Sequence, residues 1–146
     1  MASRATAEKW LAELTNLTTA SGLEDEVVAW VERWVDRRDD LSLAKDSGGN
    51  LFITQKGRKE HDPVLAVAHM DHPAFVILDA DGSFEFRGGV DAPYFDEALI
   101  DVVSRMDGPP GRVTSYDPDT HRGTANFVGV VVEGDIAMWR FRSIRQ

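Results

Sequence analysis

His69-Met70-Asp71 sets an imidazole and a carboxylate two residues apart, directly after the apolar run Val64-Leu65-Ala66-Val67-Ala68 and shortly before Phe75-Val76-Ile77-Leu78. Five small or branched apolar residues without polar alternation predict a strand buried on both faces of a sheet. Side chains two apart on a strand share a face, so a carboxylate there can fix the tautomer of a neighbouring imidazole. A metal-ligating histidine is commonly held in this way through its second nitrogen. The plainer alternative is that His69 ends a core strand with a local hydrogen bond, and the H-x-D pattern alone does not choose between the two.

The chain has no cysteine, so any metal must be held by His, Asp or Glu and no disulfide can form. The other three histidines are weaker candidates. His61 sits in a charged connection and His121 in a polar loop, where solvent is the expected neighbour. His72 faces away from His69 if the strand persists, although Pro73 can break it. Twenty-five acidic against sixteen basic residues give a net charge of −9, which repels phosphate backbones and anionic lipids, so nucleic acid is not an expected partner. No apolar run approaches the about 20 residues of a membrane helix, and residues 1–7 lack the apolar centre of a signal peptide. The expected location is cytoplasmic, with no membrane partner.

The 146 residues, 42% of them hydrophobic, suffice for one ordinary core and a small additional lobe. Trp10, Leu11, Leu14 and Leu17 recur at helical spacing and predict a helix from Thr6 to about Thr19. Ser21-Gly22-Leu23-Glu24 resembles a capping box, in which the Ser21 hydroxyl accepts an amide hydrogen at the start of a second helix running to about Arg38. Val27, Val28, Val31, Trp34 and Val35 form the apolar face of that helix. Its acids at the start and arginines at the end suit the helix dipole. Trp10, Trp30 and Trp34 are expected to be core packing rather than the lining of a ligand pocket.

From Leu41 the period changes to two. Leu41 to Ala44 and Leu51 to Thr54 flank Asp46-Ser47-Gly48-Gly49-Asn50, which predicts a hairpin. The two glycines do not make a phosphate loop, because no helix start or lysine follows them. Ser83-Phe84-Glu85-Phe86-Arg87 alternates strictly and predicts a strand with one wet face. After Gly88-Gly89, strand candidates at about Ala98 to Ser104, Arg112 to Tyr116, Ala125 to Val132 and Ile136 to Ile144 predict a small β-rich lobe. The last run either exposes an apolar edge that wants a partner or closes a small barrel.

Two amphipathic helices, Ala20-Ser21-Gly22-Leu23-Glu24 between them, Asp46-Ser47-Gly48-Gly49-Asn50-Leu51 in a hairpin, and Ala68-His69-Met70-Asp71 occur in that order. Together they resemble the N-terminal part of the co-catalytic di-metal aminopeptidases of the glutamyl and tetrahedral aminopeptidase family, among the zinc exopeptidases. The resemblance covers residues 8 to 90 and is loose thereafter. It implies an α/β catalytic domain, mixed α+β in this portion, with two helices packed on a mixed sheet over residues 1–88. Residues 89–146 would form a β-rich inserted lobe that serves oligomer contacts.

The resemblance implies hydrolysis of peptide bonds at a free N-terminus with two divalent ions, zinc or cobalt. His69 would be a ligand of one ion and Asp71 the catalytic-site acid that orients it. The family's bridging aspartate, glutamate base and later ligands follow the β lobe. The chain is therefore expected to hold only the first portion of the site, inactive alone and completed by a C-terminal half or within a homo-oligomer. The family commonly continues the H-x-D with an acid and then a glycine, whereas His72, Pro73 and Ala74 stand here. A reading from a different class makes the chain a non-catalytic binding or assembly module on the same scaffold.

Overall fold

A computed structural model describes residues 2–57 and 64–140. They form an α+β arrangement of two helices, a two-stranded hairpin and a closed six-stranded barrel. Two compact units divide the chain, one made of residues 1–17 and 24–70, the other of residues 18–23 and 71–146.

The first unit opens with α1 (Arg4–Thr15), whose N-terminus is capped by Ser3: the Thr6 amide donates to the Ser3 hydroxyl at 3.2 Å. An orphan amide at a helix start is satisfied in this way. The helix stops at Asn16, short of the expected Thr19. In α2 (Asp25–Asp36), Val27 and Val35 are buried, as the apolar stripe requires. The expected capping box does not form, because Glu24 occupies the cap position without a side-chain cap hydrogen bond and the Ser21 hydroxyl is used elsewhere. Strands β1 (Leu41–Lys45) and β2 (Leu51–Gln55) make the expected antiparallel hairpin, with Leu43 opposite Ile53. Asp46 ties its turn: one carboxylate oxygen accepts from the Gly48 and Asn50 amides, both at 2.9 Å, and the other from the Asn50 side chain. These bonds favour the charged form and hold the Asp46 carboxyl below its ordinary range, the Asn50 side chain most of all.

The run Val64 to Ala68 corrects an expectation. It is not a buried strand: Val64 is 97% exposed, Leu65 81% and Val67 84%. Burial on both faces needs a neighbour at each edge and a layer on each side. Among the described residues every ladder is antiparallel, and none includes this run.

The second unit is the barrel. Its strands are β3 (Ala74–Ile77), β4 (Ser83–Arg87), β5 (Leu99–Val102), β6 (Pro110–Asp117), β7 (Arg122–Phe127) and β8 (Ile136–Trp139). Their order around the wall is β3-β4-β7-β6-β5-β8, and β8 pairs with both β3 and β5, which closes the ring. The last apolar run therefore closes a barrel over Ile136–Trp139; its continuation past residue 140 lies outside the described residues. Closure removes the edges that an open sheet would expose. Alternation along β4 sends Phe84 and Phe86 inward to meet Phe75 and Phe95 in the core. Phe95 comes from a short 3₁₀ turn, Ala92–Phe95, and stacks on Tyr116 with ring centroids 3.6 Å apart. No helix among the described residues is long and apolar enough to cross a membrane.

Candidate functional site

The segment ahead of α2 does not belong with the helices. Residues 18–23 pack with the barrel unit: the Thr18 hydroxyl donates to the Val103 carbonyl at 3.2 Å, and Thr19 and Ala20 are fully buried. Gly22, with φ +81°, lets the chain reverse so that Ala20 and Leu23 bridge each other. A left-handed backbone there suits glycine and strains other residues. The turn places the Ser21 carbonyl where Arg87 Nη1 donates to it at 2.9 Å. It also directs the Ser21 hydroxyl onto Asp71 Oδ2, in a short hydrogen bond that Ser21 donates.

Asp71 is half-buried and thus anchored by a residue from another part of the chain. A charged acceptor strengthens such a bond and fixes the carboxylate's orientation. Pro73 follows, seated against Gly88, where an added Cβ would come within 2.7 Å of the proline ring. The ring fixes the backbone angle just before β3 begins, and its missing amide falls outside the β3 ladder. His69, two residues before Asp71, is exposed; the ring is not sealed in hydrocarbon. His72 is half-buried, and His121 is exposed on a turn at φ 55°, as a polar-loop position implies. His61 lies outside the described residues.

Among the described residues, no group of three or more His, Asp or Glu side chains could hold a metal ion. A hydrolytic zinc site takes three protein ligands and an open position. The described residues therefore do not fit a complete metal centre; they offer His69 and, beside it in sequence, an acid whose orientation is already set.

The anchoring role of Ser21 was hidden in the sequence because S-x-x-E before an apolar run is an equally good start signal for a helix. Its one visible hint was Gly22, which permits a reversal that a plain helix start does not need. The tryptophans also differ from expectation. Trp34 meets both Trp10 and Trp30, but each of the three is only half-buried beside an open groove instead of sealed in a core. No family model matches the sequence, and no curated protein matches it.

Proposed function

We propose that this chain carries the first portion of a metal-dependent aminopeptidase site, on a helix-and-sheet scaffold of α/β type with the barrel as an inserted assembly lobe. The observation that supports this reading is the Ser21 hydroxyl bond that holds Asp71, two residues after an exposed His69 in the sequence. In the proposal His69 is one ligand of a zinc or cobalt ion, and Asp71 positions it. The remaining ligands and the general base come from outside the described residues, from further sequence or from another copy. Peptides with a free N-terminus are the substrates of the completed enzyme. Because the described residues do not make a whole centre, no step of the reaction is assigned to them.

Calorimetric titration of zinc and of cobalt into the purified chain tests the reading. The expected result is weak binding, roughly 10 µM or weaker for so few ligands, that disappears in His69→Ala. Binding that is indifferent to His69→Ala overturns the ligand assignment. Two tight sites with peptidase turnover by the chain alone overturn the incompleteness.

One observation favours a non-catalytic binding or assembly module instead. The barrel is closed, and Trp139 is engaged within it, packed on Phe75 at 4.6 Å and donating its indole N–H to the Tyr94 carbonyl at 3.3 Å. A self-contained lobe of this kind predicts a stable monomer by light scattering, and obligate assembly counts against it.

A further inference from the structure

The first unit carries a groove of about 690 Å³ between α1 and α2, lined by the three half-buried indoles and by Arg33, Arg37 and Arg38. That volume is in the range that small ligands occupy. Trp30 and Trp34 lie nearly parallel, 21° apart with centroids 6.3 Å apart, and Trp30 offers planar apolar surface, one face of Trp34 being covered by Arg38. The Arg38 guanidinium sits 3.6 Å above the Trp34 ring and 4.7 Å from Trp10, and it donates to the Trp34 carbonyl. Stacking and that bond hold Arg38 in place as a fixed cation.

Arg33 lies in the last turn of α2 and Arg37 is the residue that caps its C-terminus, four positions on; both are exposed. No acidic side chain among the described residues forms an ion pair with either of them, or with Arg38. In a chain of net charge −9 with acids in excess, three arginines without such a partner around one groove are a concentration against the grain of the molecule. The dipole of α2 accounts for basic residues near its end, but not for their gathering beside partly buried indoles. The one carboxylate in the lining, Glu13, is already engaged by the Trp30 indole N–H at 3.2 Å and by Lys9 at 3.7 Å.

We infer that this groove binds a small phosphorylated aromatic compound, its planar ring on the Trp30 indole and its phosphate on Arg33 and Arg37. A guanidinium pair suits a dianionic phosphate, and stacking on tryptophan tolerates many ring types. A nucleotide and a simple aryl phosphate share this chemistry. The inference stands apart from the peptidase reading, since it uses neither His69 nor Asp71.

Calorimetry on the full chain with adenosine monophosphate, phenyl phosphate, adenosine and inorganic phosphate tests it. At least one of the two aromatic phosphates should bind with a Kd of roughly 0.1 mM or tighter, and weaken as salt is raised. Selectivity between these two probes identifies a nucleotide or an aryl phosphate as the class. The exposed pair Arg33→Gln and Arg37→Gln, with unchanged helix content, should weaken binding about tenfold or more. Trp30→Leu, which keeps an apolar floor, should bring the aromatic phosphates down to the affinity of inorganic phosphate. The proposal is overturned if neither aromatic phosphate binds at about 5 mM, a weaker level than any specific two-point contact. Equal affinity for inorganic phosphate in the unmodified chain, or indifference to the arginine pair, overturns it too. So does burial of the groove by a second copy, read as concentration-dependent tryptophan emission that the arginine pair abolishes.

Discussion

Ser21 donates its hydroxyl hydrogen to the Asp71 carboxylate across a sequence separation of 50 residues. That bond, and not a helix cap, is the use to which this serine is put. Ser21→Ala is expected to cost about 1–2 kcal/mol in urea unfolding while leaving far-ultraviolet helicity unchanged. Ser3→Ala, which removes the true cap of α1, should cost about 1 kcal/mol and lower helicity. Equal loss of helicity in both variants would show that Ser21 serves α2 after all.

Asp135 is a buried carboxylate that accepts from the Ser104 hydroxyl and the Val132 amide, both at 3.1 Å, and pairs with Arg105 at 3.2 Å. Asp135→Ala takes the acceptor from the Ser104 hydroxyl and the Val132 amide, while Arg105 keeps the Val130 carbonyl. A loss of about 2–4 kcal/mol is expected in chemical denaturation, short of a fully buried pair because 33% of the Arg105 side chain is in solvent. Asp135→Asn keeps the shape and part of the hydrogen bonding, so its loss should be the smaller of the two.

Two glycine substitutions should part sharply. A Cβ on Gly123 would lie 2.2 Å from the Ser115 carbonyl oxygen and 2.5 Å from the Phe84 ring. Gly123→Ala must therefore push β6 or the core aside, at about 1–3 kcal/mol. Gly89 meets nothing within 4 Å, and Gly89→Ala should be neutral or stabilising by up to about 1 kcal/mol. Thermal melts of the two variants read the difference directly.

Acid should loosen the barrel through Asp101. Its carboxylate accepts from Arg140 Nε at 2.7 Å, and that hydrogen bond, aided by the guanidinium charge, holds its pKa below the ordinary value of 3.8. A carboxyl depressed in the folded state contributes stability above its unfolded pKa and loses it as pH falls through the folded one. The contribution is thus intact near neutrality and declines below about pH 4. In Arg140→Gln the Asp101 titration, followed by carboxyl nuclear magnetic resonance, should move up toward 3.8, and the acid dependence of the melt should flatten.

Period and punctuation made much of the fold legible. Helix α2, the β1–β2 hairpin and strand β4 appear where apolar spacing and turn residues put them, because local propensity and burial agree there. Residues 64–68 show the limit of that method: apolar content signals burial only where neighbouring strands exist to provide it, and composition does not record the neighbours. β7 begins at Arg122 and stops at Phe127, earlier than the apolar run to Val132 suggested. Its range is that of its partner β6, with Gly111 opposite Phe127 at one end and Asp117 opposite Arg122 at the other. In the candidate site His69 and Asp71 stood out by residue type, whereas Ser21 did not, since its partner is remote and its local signal points to a different role. The groove arginines were hidden by a rule that explains them well enough singly, and only their convergence sets them apart.

Because β8 pairs antiparallel with β3, the chain leaves the ring beside the point where it came in, with Phe75 opposite Ala137. Adjacent antiparallel strands hold facing backbones about 5 Å apart. A few glycines can therefore join residue 140 to residue 73, and new termini can be opened at the exposed Asp117 to Thr120 turn without unpairing a strand end from the wall. Such a rearranged gene product gives up the Ala20 contact with Ala74, Val76 and Ile136 but should keep the same six-stranded ring, which makes the barrel a portable cassette whose ends can be set into a surface loop of another protein.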